Sequence, residues 1–232
     1  NLGLNTKYHA TKEKPFTIFY GDMDGSGKKR LIEAEFEGDK WYPVRGKSCS
    51  TLAMPSLQNK FPNFGSFAIA TLEEIYPPSK LNESQRFDAT HLQSGVFIND
   101  GRGHFDFNPF PRLAQITASY GIAFNDMDGD GFQDLLLSQN SYAPQLETGH
   151  FDAGQGIMLS GLGNGQFEAV WPKQSGFSFP GDAKSLTFID WNADAKPDVL
   201  ISRNNDTLLA FENQPNDGAK SITLILEGSQ RN

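Results

Sequence analysis

The sequence predicts an all-β chain built of β-propeller-like blades, each a sheet of four antiparallel strands, with a small helical insertion. Three observations predict it. An Asp-rich loop recurs three times, short strand-like segments flank each copy, and Gly/Asn-turn hairpins lie between the copies. About three such units fit in the chain, too few to close a ring, so an open or partial propeller is expected.

The clearest loop lies in FNDMDGDGFQDLLL, residues 124–137. Asp126, Asp128, Asp130 and Asp134 stand at loop positions 1, 3, 5 and 9, with Gly129 and Gly131 between them. Carboxylates this close repel one another unless a cation neutralises them. Calcium suits the pattern because it takes six to eight oxygens, and alternate carboxylates with one backbone carbonyl supply most of them. Gly131 permits a positive φ, and Phe132 at position 7 offers its carbonyl. The plainer reading is a polar turn between strands, for which Asp and Gly are common residues in any case.

The loop recurs in IDWNADAKPDVLIS, where Asp190, Asn192, Asp194 and Asp198 take positions 1, 3, 5 and 9. It recurs in part in YGDMDGSGKKRLIEAE, with Asp22, Asp24 and Ser26 at 1, 3 and 5. Position 9 of that copy is Arg30, which cannot ligate a cation. With Glu33 at position 12, the first loop also fits an EF-hand pattern, but an EF-hand needs a helix on each side. Pro15 to Tyr20 is β-like, and Ile32, Ala34 and Phe36 alternate as in a half-buried strand. Position 12 is Leu137 in the second loop and Ile201 in the third, so neither closes in the EF-hand manner.

Residues 1–14 lack periodicity and read as an incoming connection. Residues 51–86 differ in kind. Phe64, Phe67, Ala68, Leu72 and Tyr76 fall at helical spacing, Asn63 or Ser66 can cap the start, and Pro77-Pro78 stops the run. The spacing predicts one helix over about 64–76 and a short second one near 81–87. A stripe of this kind is expected to pack onto the β-structure rather than to present a partner-binding face.

From residue 94 the unit becomes plain. SGVFINDGRGHFDFNPF reads as a hairpin about Asn99-Asp100-Gly101, and GIMLSGLGNGQFEAVW as its second copy about Gly163-Asn164-Gly165. LLAFENQPNDGAKSITLIL reads as a third. Each unit then holds one strand before the Asp loop, one after it, and a hairpin. The first two loops are further apart than the second and third, by about the length of the 51–86 insertion. Blade one is expected over about 15–110, blade two over 118–172 and blade three over 184–226. Residues 227–232 read as the start of a truncated C-terminal segment.

These residues resemble the FG-GAP/VCBS repeats of integrin-α-like β-propellers, in which a D-x-D-G-D-G-x-x-D loop joins the first two strands of a blade. The second loop carries the motif most fully, the third well and the first in part. The chain is further similar to bacterial proteins of this kind with an ASPIC/UnbV-type C-terminal domain, whose beginning SITLILEGSQRN resembles. The resemblance implies Ca2+ in the second loop, held by Asp126, Asp128, Asp130, Asp134 and the Phe132 carbonyl. In the third it implies Asp190, Asn192, Asp194, Asp198 and the Lys196 carbonyl. Ala193 and Ala195 replace both glycines there, and Ala at positive φ costs about 1 kcal/mol or more, so a weaker or distorted site is expected. For Asp22, Asp24 and Ser26 two alternatives stand: the Arg30 guanidinium replaces the ion, or Glu33 swings in. Alternation favours a weak or empty site.

Composition bounds the function. The 232 residues carry a formal net charge of −8, which argues against a nucleic-acid partner, since that needs a basic patch. No apolar run reaches the length of a membrane span. Cys49 is alone, so neither an internal disulfide nor a Cys/Cys zinc site is available. His9, His91, His104 and His150 show no metal spacing and read as surface or loop residues. Loops of this kind suit millimolar calcium, hence a secreted, periplasmic or cell-surface setting. The resulting expectation is a non-enzymatic module for adhesion or for binding a protein or glycan partner, with an isolated set of blades prone to self-associate. The alternative is a carbohydrate-active hydrolase or lyase using Glu147, Asp152 or Asp182, acids outside the ion loops.

Overall fold

The computed structural model describes residues 1–146 and 148–214. The third hairpin beyond residue 214, the 227–232 segment and Glu147 lie outside these. The described chain is mostly β, in antiparallel sheets of two to four strands with a few short helices. It divides into two compact units, residues 6–92 and residues 1–5 with those from 93 onward.

The smaller unit holds β1 (Phe16–Gly21), β2 (Arg30–Glu37) and β3 (Lys40–Pro43). Five short helices follow: α1 (Lys47–Ala53), α2 (Leu57–Lys60), α3 (Phe64–Ala68), α4 (Leu72–Ile75) and α5 (Pro78–Glu83). Strand β4 (Gln85–Ala89) closes the unit. The sheet order is β3-β2-β1-β4, so β4 pairs with the free edge of β1. The first Asp loop connects β1 to β2 with Gly21 opposite Arg30, and strands rather than helices flank it, as the alternation predicts.

Ile32 and Ala34 on β2, with Phe19 on β1, meet Met54, Leu57, Phe67, Leu72, Ile75 and Tyr76 in one core. The Phe/Leu stripe therefore packs onto the sheet, although Phe64 remains largely exposed. The single helix expected over 64–76 is broken in two. Asn63 caps α3 as expected, accepting a bond from the Ser66 N–H at 2.8 Å. Thr71 then starts α4 afresh through a capping box, in which Glu74 reaches back to the Thr71 N–H at 2.8 Å. The second helix comes earlier than expected, at 78–83, because Pro78 sits in its first turn, where a missing N–H costs nothing.

The larger unit contains β5 (Gly95–Asn99), β6 (Phe105–Pro109), a 3₁₀ turn at Arg112–Gln115, β7 (Ser119–Asn125), β8 (Asp134–Gln139), β9 (Ile157–Gly161) and β10 (Phe167–Val170). After them come α6 (Pro172–Ser175), β11 (Ala183–Ile189), β12 (Asp198–Arg203) and β13 (Leu209–Phe211). Strands β7 to β10 form one four-stranded meander, with the second Asp loop between β7 and β8. Strands β11 to β13 repeat the arrangement around the third loop. The β5–β6 and β9–β10 hairpins match closely. Each ends in a loop closed by one backbone bond, Asp100 N–H to His104 C=O in the first and Leu162 N–H to Gln166 C=O in the second, both 3.0 Å. Among the described residues the β5–β6 hairpin pairs with no further strand and forms a two-stranded sheet of its own.

Strand β8 is buried along its whole length. Leu135 and Leu137 face Phe110, Ile157, Leu159 and, from the hairpin, Val96. Leu136 faces the opposite way, into a core with Leu186, Val199, Ile201, Phe177 and Phe179. The β7–β10 sheet thus lies between the hairpin on one face and the β11–β13 sheet on the other.

Gly121 shows how closely the two larger sheets approach. A Cβ there would sit 2.9 Å from Ser185 Cα and 2.6 Å from Ser138 Oγ, at a register shift where the Gly121 N–H donates to Ser138 Oγ. Gly121→Ala is expected to lower stability by about 1–3 kcal/mol, since backbone would have to move. Urea melting of the variant against the parent checks this.

Candidate metal centre

Each Asp loop is built around the carboxylate at position 1. In the second loop Asp126 accepts the Gly129 N–H on Oδ1 at 2.7 Å and the Gly131 N–H on Oδ2 at 3.0 Å. Asp128 accepts the Asp130 N–H at 3.1 Å, and Asp130 the Phe132 N–H at 2.8 Å. Gly129 and Gly131 take φ of 81° and 92°, which turns these amides inward. One carboxylate oxygen from each of Asp126, Asp128 and Asp130 lies within 4.8 Å of the others. Two oxygens on one calcium can stand up to about 5 Å apart, twice its 2.3–2.6 Å bond length. The three carboxylates are therefore close enough to share one metal ion.

Asp134 is placed differently. Its side chain is fully buried, and both oxygens already accept backbone N–H groups, from Met127 at 2.8 Å and Gly161 at 3.0 Å. Burial pushes its carboxyl above the usual range. The two N–H bonds oppose this, while the charges of Asp128 and Asp130 add to it. Asp134 ties the loop to the end of β9.

The third loop repeats the network. Asp190 accepts from Asp194 and Ala195, Asn192 from Asp194, and Asp194 from Lys196, at 2.9–3.1 Å. Asp198, fully buried, accepts from Trp191 at 3.4 Å and from Asn213 at 2.9 Å. Lys196 Nζ lies 3.6 Å from Asp194, a positive charge inside the loop. Ala193 and Ala195 take φ of 60° and 63°, so the turn survives the loss of both glycines. Its bonds to Asp190 and Asn192 offset the strain.

The first loop has the same core. Asp22 accepts from Ser26 at 3.1 Å and Gly27 at 2.8 Å, and Asp24 from Ser26 at 3.2 Å. The Ser26 hydroxyl, with its N–H, holds the exposed Asp24 carboxyl below its ordinary value. The Arg30 Nε donates to the Ala53 carbonyl at 3.0 Å, and Glu33 pairs with Arg45 at 2.7 Å. Among the described residues, only the second loop gathers three metal-ligating acidic, His or Cys side chains. All four histidines are exposed.

Of the acids outside the loops, Asp152 is exposed and Asp182 is buried. Asp182 pairs with Lys184 at 2.5 Å and accepts from Asn204 at 3.0 Å. Lys184 also donates to the Asn140 carbonyl and lies 3.6 Å from the centre of the Tyr120 ring. Asp182 is thus engaged in joining β11 to its neighbours. Sequence reasoning missed this cluster, because its members are distant in the chain and follow no motif.

No protein-family model matches the chain, and no curated protein matches it. No helix among the described residues is long and apolar enough to cross a membrane.

Two predictions follow from these contacts. Burial alone would raise the Asp182 carboxyl, but its bonds to Lys184 and Asn204 and the lysine charge outweigh it, leaving the group below its ordinary value. A depressed carboxyl adds stability above the unfolded-state value near 3.9, and loses it as pH falls through the folded-state value. Asp182→Asn should therefore cost about 1.5–3 kcal/mol at pH 7, and the cost should fade below about pH 4. Denaturant melts across that range measure it. Ala195→Gly relieves a left-handed Ala but adds backbone entropy to the unfolded chain, for a net gain of about 0.5–1 kcal/mol. Thermal melting of this single variant provides the test.

Proposed function

We propose that the chain is a non-enzymatic, calcium-ordered β-propeller module of the FG-GAP/VCBS kind, which binds a protein or glycan partner outside the cytoplasm. The observation that carries this reading is the convergence of Asp126, Asp128 and Asp130 on a volume suited to one cation, in a loop whose backbone network recurs twice more.

An ion there would be structural. It would cancel the mutual repulsion of the three carboxylates and hold the β7–β8 connection, which Asp134 already links to β9. The third loop is the next candidate, with Asn192 and the Lys196 charge lowering its demand for a cation. The first, with Arg30 at position 9, is weakest. The net charge of −8 favours a neutral or basic partner surface over nucleic acid.

The test is thermal melting with calcium or chelator, on this chain and on its Asp126→Ala/Asp130→Ala variant. Calcium should raise the melting temperature of the parent by several degrees, as about 2.7 kcal/mol of linkage at one hundred times the dissociation constant requires. The double variant should lose most of that rise. Equal responses in parent and variant would place calcium elsewhere, and no response would reduce the loops to turns.

A further inference from the structure

The smaller unit contains a concave site of its own. A cavity of about 240 Å³ lies between helix α3 and the segment that joins β3 to α1. Phe64, Phe67 and Ala68 of α3 give it an apolar wall. Its polar side chains are those of Glu37, Tyr42, Arg45 and Lys47.

Lys47 is the unusual member. It is 7% exposed, and among the described residues it has no ion-pair partner. Its Nζ donates to the side-chain oxygen of Gln58 at 2.7 Å, a neutral acceptor. An ammonium carries three donors, so Gln58 satisfies only one. The same Nζ lies 5.4 Å from the centre of the Phe64 ring. Phe64 is 68% exposed and lines the cavity with Lys47, so the ammonium stands beside a ring that a ligand can reach. Lysines this far withdrawn from water are ordinarily paired with an anion. The other charges are accounted for. Arg45 holds Glu33 through its Nε at 2.7 Å, and Glu37 is exposed at the end of β2.

We propose that this cavity binds a monocarboxylate with a ring-sized apolar body, either a small free acid or the carboxyl end of a polypeptide. Lys47 sets the sign of the charge, because a carboxylate accepts from the ammonium donors that Gln58 leaves over and supplies the missing counter-charge. The neighbours set its amount. Arg45 is already neutralised by Glu33, and Glu37 stands in the same lining, so a second negative charge on the ligand would be repelled. That favours a carboxylate over a phosphate dianion, and the neutral Tyr42 leaves the balance unchanged. Size sets the third limit. A cavity of about 150 Å³ accommodates benzene, so this one has room for a ring and its carboxylate. Phe64 and Phe67 offer the ring aromatic neighbours.

The test titrates benzoate and benzyl alcohol, close in size, into the full chain, following the backbone amides of residues 44–47 and 64–68 by NMR. Saturable benzoate binding about ten-fold or more tighter than benzyl alcohol, the range expected of one charge-assisted hydrogen bond, supports the proposal. Phenyl phosphate should bind more weakly than benzoate. Lys47→Met keeps the apolar stem and returns the exposed Gln58 to water, so the variant should fold, bind benzyl alcohol and lose the preference. Phe64→Ala, at an exposed position, should weaken both ligands. N-acetylphenylalanine distinguishes the source: binding at least as tight as benzoate points to a polypeptide carboxyl end, and exclusion points to a free acid. Absence of saturable benzoate binding, equal binding of benzoate and benzyl alcohol, tighter binding of phenyl phosphate, undiminished binding in Phe64→Ala, or a preference that survives in Lys47→Met would overturn the proposal.

Discussion

The structure of the larger unit depends on burying β8 on both faces. Six consecutive residues, Asp134 to Gln139, are withdrawn from water, and each burial obliges something else. The leucines need an apolar layer on either side, which the β5–β6 hairpin and the β11–β13 sheet provide. Fully burying a leucine stabilises by roughly 1.5–3 kcal/mol, so Leu135, Leu136 and Leu137 together outweigh any single polar bond in the unit. The polar residues at the ends must then be satisfied within the protein. Asp134 meets this with two backbone N–H groups. Gln139 meets it only in part. The second Asp loop runs into the start of this strand.

Much of this was legible in the sequence. An unbroken apolar run between an Asp loop and Ser-Gln marks a strand buried on both sides, whereas the alternation of Ile32, Ala34 and Phe36 marks one buried on a single side. Spacing alone placed the Asp loops between strands and set aside the EF-hand. The helical stretch was read less well. A stripe at helical spacing does not reveal that Thr71 and Glu74 form a new cap and split the run. The partner of β1 was not legible either. Phe16 pairs with Ala89, and no local pattern announces pairing across so long an interval. For the same reason the Asp182–Lys184–Tyr120 cluster was invisible: it joins residues from different strands by single contacts.

The position-9 aspartates show where motif reading and structure diverge in emphasis. Spacing assigns Asp134 and Asp198 the same kind of role as the acids at positions 1, 3 and 5. In the fold they are the two fully buried members of their loops, and each holds two backbone N–H groups from different parts of the chain. An anionic acceptor bound to amides is a strong and costly arrangement to lose. Such residues would be retained for backbone anchoring even in a loop without an ion. The first loop, with Arg30 at that position, keeps its turn but directs the side chain to the Ala53 carbonyl.

Ala193 and Ala195 carry this reasoning furthest. Two left-handed alanines should together cost about 2–4 kcal/mol, yet the third loop keeps the turn of the second. Asp190 contributes two bonds, and Asn192 and Asp194 one each. Bonds to charged acceptors are each worth about 1.5–3 kcal/mol net when buried, and less at an exposed loop. Their sum is sufficient to hold the backbone against the strain. The carboxylates therefore act first on their own amides, and a cation would complete a turn that the protein has already formed. That order separates a loop that uses an ion for stability from one that uses it for chemistry, because the oxygens that shape the turn are also those that would face the ion.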